Sequence, residues 1–348
     1  MAVLITDIYD SQAVAVRRTQ DPSNAMGFVG KAFFPNRKKL CLSLKWIKTH
    51  KGLNAILKPS NFDAIPMIRA REGFKQESTE MIFFRESMTV REEDLMRLME
   101  IEDANSPFIG DIISSIYNDA ARLIDGAEIA AEVMRMALLA PKDGKPSIAI
   151  GTGEQESDNK QKHYLKIQGT DTWDHPDTAK PLKDVQQGTK YLKSIGVLPR
   201  YAMMNSTTFD YLVENEQIKN ALITSSGKTV DFTDEATVKE IFTRKTGLTP
   251  IIYDKMYIDY KGETQKFYPD DKVTIIGAGT LGSTYYGVTP EERTLMSNKN
   301  VDVAMLDNRI AIATKTEQGP PIKTTTSVSQ IVLPSYEGID STFVLDVK

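Results

Sequence analysis

The strongest chemical lure in this sequence is six residues long. Gly277-Ala278-Gly279-Thr280-Leu281-Gly282 spells GxGxxG and comes after the apolar run Val273 to Ile276. In a dinucleotide-binding fold such glycines allow a tight turn and let the backbone approach a pyrophosphate at a helix N-terminus. That chemistry needs a helix directly after the glycines. The next residues are Ser283-Thr284-Tyr285-Tyr286-Gly287-Val288-Thr289-Pro290, and Gly287 and Pro290 oppose a long helix there. An acid stands 20 residues after Gly282, at Asp302, but without the helix that spacing carries no meaning. A glycine-rich loop between strands is the favoured reading, with cofactor binding as the alternative.

Other reactive side chains are sparse. The histidines are His50, His163 and His175, and none stands at ligand spacing from another or from Cys41, the one cysteine. They are read as structural or surface groups, His175 within the turn-like Thr172-Trp173-Asp174-His175-Pro176. The acids Glu92-Glu93-Asp94 and Glu291-Glu292 could serve acid–base chemistry. Solvated first-turn carboxylates, favoured by the helix dipole, are the simpler reading. No GxSxG, P-loop or HExxH string occurs. Arg37-Lys38-Lys39 could touch phosphate, but a solvated or interface patch is favoured. Met96, Met99, Met134 and Met136 are read as core filling rather than a binding groove.

Composition narrows the classes further. A chain of 348 residues suggests about two domains, or one with large excursions. It is 41% hydrophobic and 26% charged, which suits a globular protein with a substantial core. The formal net charge of −4 argues against a generally basic nucleic-acid-gripping surface. A single cysteine excludes an intrachain disulfide and a Cys-rich zinc site, and fits a reducing compartment. Val3-Leu4-Ile5 is broken by Asp7 and Asp10, unlike a signal peptide, and the chain has no apolar run of transmembrane length.

The elements that would position these residues can be read in order. Residues 1 to about 30 predict an extended arm without a core of its own. Leu40, Leu42, Leu44 and Trp46 alternate with Cys41, Ser43, Lys45 and Ile47, as in a half-buried strand. Residues 50 to 86 predict a β-excursion, with strands near 65–69 and 81–85 and a polar tip at Glu72 to Glu80. Thr89-Val90-Arg91-Glu92 fits a capping box for a helix carrying Leu95, Leu98 and Met99. Ser106 and Pro107 open a helix whose apolar residues recur from Ile109 to Leu138, until Pro141 stops it. Gly110 and Gly126 inside it each cost roughly 1 kcal/mol relative to Ala, so packing is expected to compensate. Further strands are read near 147–150 and 163–167. From about 181 the pattern alternates. Helices run from Leu182 to Ile195, from Ser206 with Phe209, Leu212 and Val213, and from Thr233 to Gly247. Strands are read at 201–204, 250–253, 256–260, 266–268 and 272–276. The tail returns to strands at 301–306, 310–314, 328–333 and 342–347.

An arm and a long polar-tipped excursion do not bury themselves, which points to burial against other subunits. The order and several strings resemble the major capsid proteins of tailed phages, the group similar to phage lambda's capsid protein E. The strings are Phe267-Tyr268-Pro269-Asp270-Asp271-Lys272-Val273, Tyr286-Gly287-Val288-Thr289-Pro290-Glu291, Gly196-Val197-Leu198-Pro199 before Tyr201 to Phe209, and Ile331-Val332-Leu333-Pro334-Ser335 with Phe343-Val344. The resemblance implies the α+β Hong Kong 97-like capsid fold. It implies an N-terminal arm at 1–30, a peripheral (P) domain strand at 31–49 and an extended E-loop at 50–86. The P-domain would resume at 87–180 with the spine helix at 107–140. The axial A-domain would span 181–298, and P-domain return strands 299–348.

The implied function is structural. Hexamers and pentamers would tile an icosahedral head around phage double-stranded DNA, held without sequence-specific binding and without a membrane. No catalytic, cofactor or metal residue is implied. Nothing marks an isopeptide cross-link, and no long helical scaffold segment precedes the arm, so a separate scaffold is expected, with portal and possible decoration proteins. The expected location is the virion, after assembly in the host bacterial cytoplasm. The alternatives are a nucleotide-dependent enzyme using 277–282, or a cellular nanocompartment shell of the same fold.

Overall fold

The computed structural model describes residues 11–20, 26–47, 76–90, 93, 107–150, 153–156, 163–220, 234–294, 302–317 and 323–348. Sequence expectations for His50, the strand near 65–69, Met96 and the helix carrying Leu95, Leu98 and Met99 lie outside these residues. The chain divides into two compact units. The first comprises Met1–Lys45, Ser78–Glu132 and Ser283–Ser335; the second comprises Trp46–Glu77, Val133–Gly282 and Tyr336–Lys348.

In chain order the elements begin with helix α1 (Ser11–Gln20) and strands β1 (Asn36–Lys38), β2 (Ser43–Ile47), β3 (Gln76–Glu80) and β4 (Ile82–Val90). The long helix α2 (Pro107–Leu139) precedes the hairpin β5 (Ser147–Ile150) and β6 (Gly153–Glu156), then β7 (Tyr164–Lys166). Next come α3 (Pro181–Ser194), β8 (Pro199–Met204), α4 (Ser206–Glu214), α5 (Glu235–Thr246), β9 (Thr249–Ile252), β10 (Met256–Ile258), β11 (Thr264–Lys266) and β12 (Lys272–Gly277). The chain closes with β13 (Thr284–Tyr286), α6 (Pro290–Thr294), β14 (Asp302–Leu306), β15 (Ile310–Glu317), β16 (Lys323–Pro334) and β17 (Thr342–Asp346).

The first unit is organised by β16. Its run of Thr, Val and Ile suits a strand. It pairs antiparallel with β15, with β13 and, on its other side, with all nine residues of β4 from Val332↔Ile82 to Thr324↔Val90. The full sheet order is β1-β13-β16-β15-β14 with β4 beside β16. Threonine hydroxyls face each other across the ladders: Thr89 and Thr325 at 3.2 Å, Thr316 and Thr324 at 3.2 Å, Thr314 and Thr326 at 3.3 Å. Such cross-strand pairs contribute to register. The capping-box reading at Thr89 is therefore corrected. Thr89 is the penultimate residue of a strand, and tertiary pairing with β16 overrides the local helix-start signal. Asp307 and Asn308, at φ of 49° and 56°, make the tight turn from β14 to β15.

The arm reading also needs correction. Residues 11–20 form a helix, and Val14 and Ala15 are buried in a cluster with Ala120, Leu123 and Ile124 of α2 and Leu306, Ile310, Ile312 and Val328 of the sheet. Arg18 pairs with Asp125, and the Ser11 amide donates to Asp302 at 2.5 Å. The apolar signal was too short to show in the sequence, because the partners lie about a hundred or more residues away. Helix α2 spans 33 residues, close to the expected 107–140 and roughly 50 Å long. Packing does not compensate Gly126: a Cβ there would meet nothing within 4 Å.

The second unit is built on the sheet β7-β17-β12-β8-β9. Strand β12 runs antiparallel to both β17 and β8, while β9 is parallel to β8 and β7 is parallel to β17. Val273, Ile275, Phe343 and Leu345 of the sheet join Val185 and Leu192 of α3, Phe209 and Leu212 of α4, and Val238 and Phe242 of α5 in one core. Gly196 and Gly247, at φ of 81° and 74°, end α3 and α5 where the sequence predicts. The cap of α4 is Asn205, and Ser206, which the sequence also suits to capping, is the first residue of the helix. The Asn205 side chain accepts from the Thr208 amide at 2.9 Å and hydroxyl at 2.7 Å. The Leu139 carbonyl, left open at the end of α2, accepts from the Thr274 hydroxyl at 2.7 Å, which also meets the buried Tyr268 hydroxyl at 2.7 Å.

Strand pairing does not follow order along the chain. β17, grouped with the returning strands in 299–348, pairs with β12 in this second sheet, whereas β14, β15 and β16 belong to the first. β7, grouped in 87–180, likewise joins the second sheet. Order along the chain could not reveal this, because both sheets draw on distant segments.

Candidate assembly interface

The glycine string ends a strand and starts a loop. β12 closes at Gly277, and the chain continues as β13 from Thr284 with no helix between them. The next helix, α6, has five residues and begins at Pro290. A Cβ on Gly277 would lie 2.7 Å from Val197 Cγ1 and 3.0 Å from the Ser341 carbonyl oxygen, so this glycine answers a packing constraint. The loop is held by its own unit: the Ala278 amide donates to Leu198 O at 2.8 Å, and Leu281 O accepts from the Gly338 amide at 2.6 Å. The glycines therefore lead into no oriented helix N-terminus that could meet a pyrophosphate.

The other candidates are spent on local structure. His175 Nδ1 sits 2.9 Å from Asp174 Oδ1 and 3.1 Å from Thr172 Oγ1, inside its turn. His163 is buried, 3.6 Å from Asp340 and in tilted ring contact with Tyr191 at 4.7 Å. Of the basic run, Lys38 binds Glu292 at 2.6 Å, Lys39 lies over the Tyr285 ring at 5.5 Å, and Arg37 is exposed. Glu291 departs from the solvated reading. It is buried, pairs with Arg85 and accepts from Ser329 Oγ at 2.9 Å, tying α6 to β4 and β16. Met134 and Met136 are fully buried, as core filling predicts. Among the described residues no group of three or more His, Cys, Asp or Glu is gathered as a metal ion would require. In the second unit, burial lowers the Lys272 ammonium pKa despite Asp346 at 3.8 Å. Burial and the Asp271 carboxylate hold the Tyr211 phenol up at about 12.

What stands out instead is unfinished surface. β4 pairs with β16 along one edge; no described strand pairs with its other edge, and Phe83 and Met88 on it are exposed. A nine-residue edge about 30 Å long is an invitation to further pairing. Leu40, Cys41 and Leu42 are exposed together. So are Met256, Ile258 and Tyr260 on the β10–β11 hairpin. The sequence marked 256–260 as a strand but not which face would go uncovered, since that depends on elements elsewhere in the chain.

A family model described as phage major capsid protein E matches residues 11–321. Among solved structures, one similar chain is assigned as the capsid protein of a prophage of E. coli CFT073. It is 13% identical, at a TM-score of 0.62, with 98% of this chain and 99% of that chain covered. Another is a phage-related protein from Bordetella bronchiseptica RB50. It is 12% identical, at a TM-score of 0.54, with 97% of this chain and 96% of that chain covered. No curated protein matches the chain.

Proposed function

The chain belongs to the phage major capsid protein E family, and from that premise we propose that many copies close into the icosahedral head around phage double-stranded DNA. Its fold is the Hong Kong 97-like capsid fold and its role in the virion is structural. The observation that supports self-assembly is the unfinished surface: a nine-residue strand edge that no described strand pairs and exposed apolar side chains on a chain that otherwise buries its core.

In this reading hexamers and pentamers tile the shell, and scaffold and portal proteins, with any decoration proteins, complete it. Assembly takes place in the host bacterial cytoplasm. The first unit acts as the peripheral domain, the second as the axial domain, α2 as the spine and 50–86 as the loop that reaches a neighbour. DNA is enclosed without sequence readout, in keeping with the net charge of −4. The chain performs no catalysis. A strand–loop–strand passage at 277–286 gives the nucleotide-enzyme alternative no support, and the family favours a phage head over a cellular nanocompartment.

The test is negative-stain microscopy and sedimentation of the expressed chain, with its scaffold supplied. Closed or capsomer-like particles are expected. A chain that stays monomeric or dimeric under those conditions overturns the reading.

A further inference from the structure

We propose that the bare face of the β10–β11 hairpin is a contact surface for a second copy of this chain. This inference rests on the assembly reading above and goes further by naming the surface.

The hairpin has two unlike faces. Met256, Lys266, Ile258 and Thr264 are cross-strand neighbours on one face; Tyr257 and Gln265 lie on the other. The second face is anchored: the Tyr257 ring packs at 4.8 Å on Phe267, which lies 6.0 Å from Tyr253. The first face is bare. Met256 is 57% exposed, Ile258 71%, and Tyr260, just past the strand, 73%. Lys266 is turned away, its Nζ bonding to Asp270 at 2.7 Å and to Thr207 Oγ1 at 3.2 Å, while Lys261 Nζ lies over the Tyr260 ring at 5.6 Å. The end of the hairpin is pre-ordered. Asp259 Oδ1 accepts from the Lys261 amide at 2.8 Å and the Glu263 amide at 2.9 Å, and these bonds lower its carboxyl pKa. A rigid apolar strip loses little freedom on docking.

Area decides the occupant. A Tyr side chain carries about 150–250 Å² and Met and Ile somewhat less, so at these exposures the three offer on the order of 400 Å². A free-standing complex needs about 800 Å² per partner. The strip is therefore too small to hold a separate soluble protein by itself. It suits a contact repeated between copies that other contacts already hold together, where effective concentration multiplies a weak interaction.

Two experiments on the full chain, run beside wild type under assembly conditions, test this. The first is the triple variant Met256→Ser, Ile258→Ser, Tyr260→Ser. It should keep the wild-type circular dichroism and urea midpoint but lose at least about tenfold in particle yield, the change that roughly 1.4 kcal/mol makes. The second places a photo-crosslinking benzoylphenylalanine at Tyr260 of the otherwise intact chain, and so decides the matter even if the triple variant misfolds. A covalent dimer of this chain, formed on illumination of particles and absent from dissociated chain, is expected. Normal particle yield from a folded triple variant overturns the inference. So does cross-linking only to another protein, or no cross-link in intact particles. Wild type that forms no particles at all overturns the assembly reading instead.

Discussion

β12 and β10 lie in the same unit and both place apolar side chains along a strand, yet they end in opposite states. Val273, Ile275 and Ile276 of β12 are fully buried, because two strands flank β12 and Val273 and Ile275 join the core that the helices complete. Met256 and Ile258 of β10 have one described strand beside them and no described element over their face. An apolar strand is thus not a core strand until something covers it. Where the chain supplies no cover, a second molecule can, and that difference separates the residues that fold this protein from those we assign to assembling it.

Substitutions can break or sharpen the contrast. The largest effect belongs to the covered strand: Ile275→Ala should cost about 2–5 kcal/mol in urea unfolding and remove particles only through loss of the fold. Thr274→Val, on the same strand, strands the Leu139 carbonyl and the Tyr268 hydroxyl, and should cost about 1–3 kcal/mol in the same assay. Alkali gives a third test. Tyr211 has a folded pKa of about 12 against an ordinary 10.0, held up by burial and by Asp271. A raised folded pKa means its contribution is complete below pH 10 and is lost as pH climbs towards about 12. Tyr211→Phe should therefore shed less stability than wild type across that window, as read by melting temperature against pH. Gly126→Ala meets open space within a helix and should raise stability by up to about 1 kcal/mol in thermal melts. The smallest effect is expected on the bare strand, where Ile258→Ser should stay within about 0.5 kcal/mol of wild type in urea. A cost as large as that of Ile275→Ala would erase the contrast.

Much of the fold was legible locally. The 3.6-residue period of Ile109 to Leu138 marked α2, and Gly196 and Gly247 marked two helix ends. That no helix would follow GxGxxG was legible in Gly287 and Pro290 alone. What failed was nonlocal. Thr89 looked like a cap because its partner Thr325 is 236 residues away. Residues 11–20 looked coreless because their cover comes from α2 and β14–β16. Glu291 looked solvated because Arg85 and Ser329 arrive from other strands. The assembly surface was hidden for the same reason, since exposure is a property of everything that did not pack there.

The most direct test of the contrast is hydrogen exchange by mass spectrometry on dissociated chain and on assembled particles. Amides of 272–277 should be slow to exchange in both forms, because their strand is complete in the single chain. Amides of 256–266, held in a two-stranded hairpin with one face in water, should exchange faster than those of 272–277 in dissociated chain and slow further in particles. Equal exchange of 256–266 in both forms would contradict the account, because the bare face would then have found no partner in the shell.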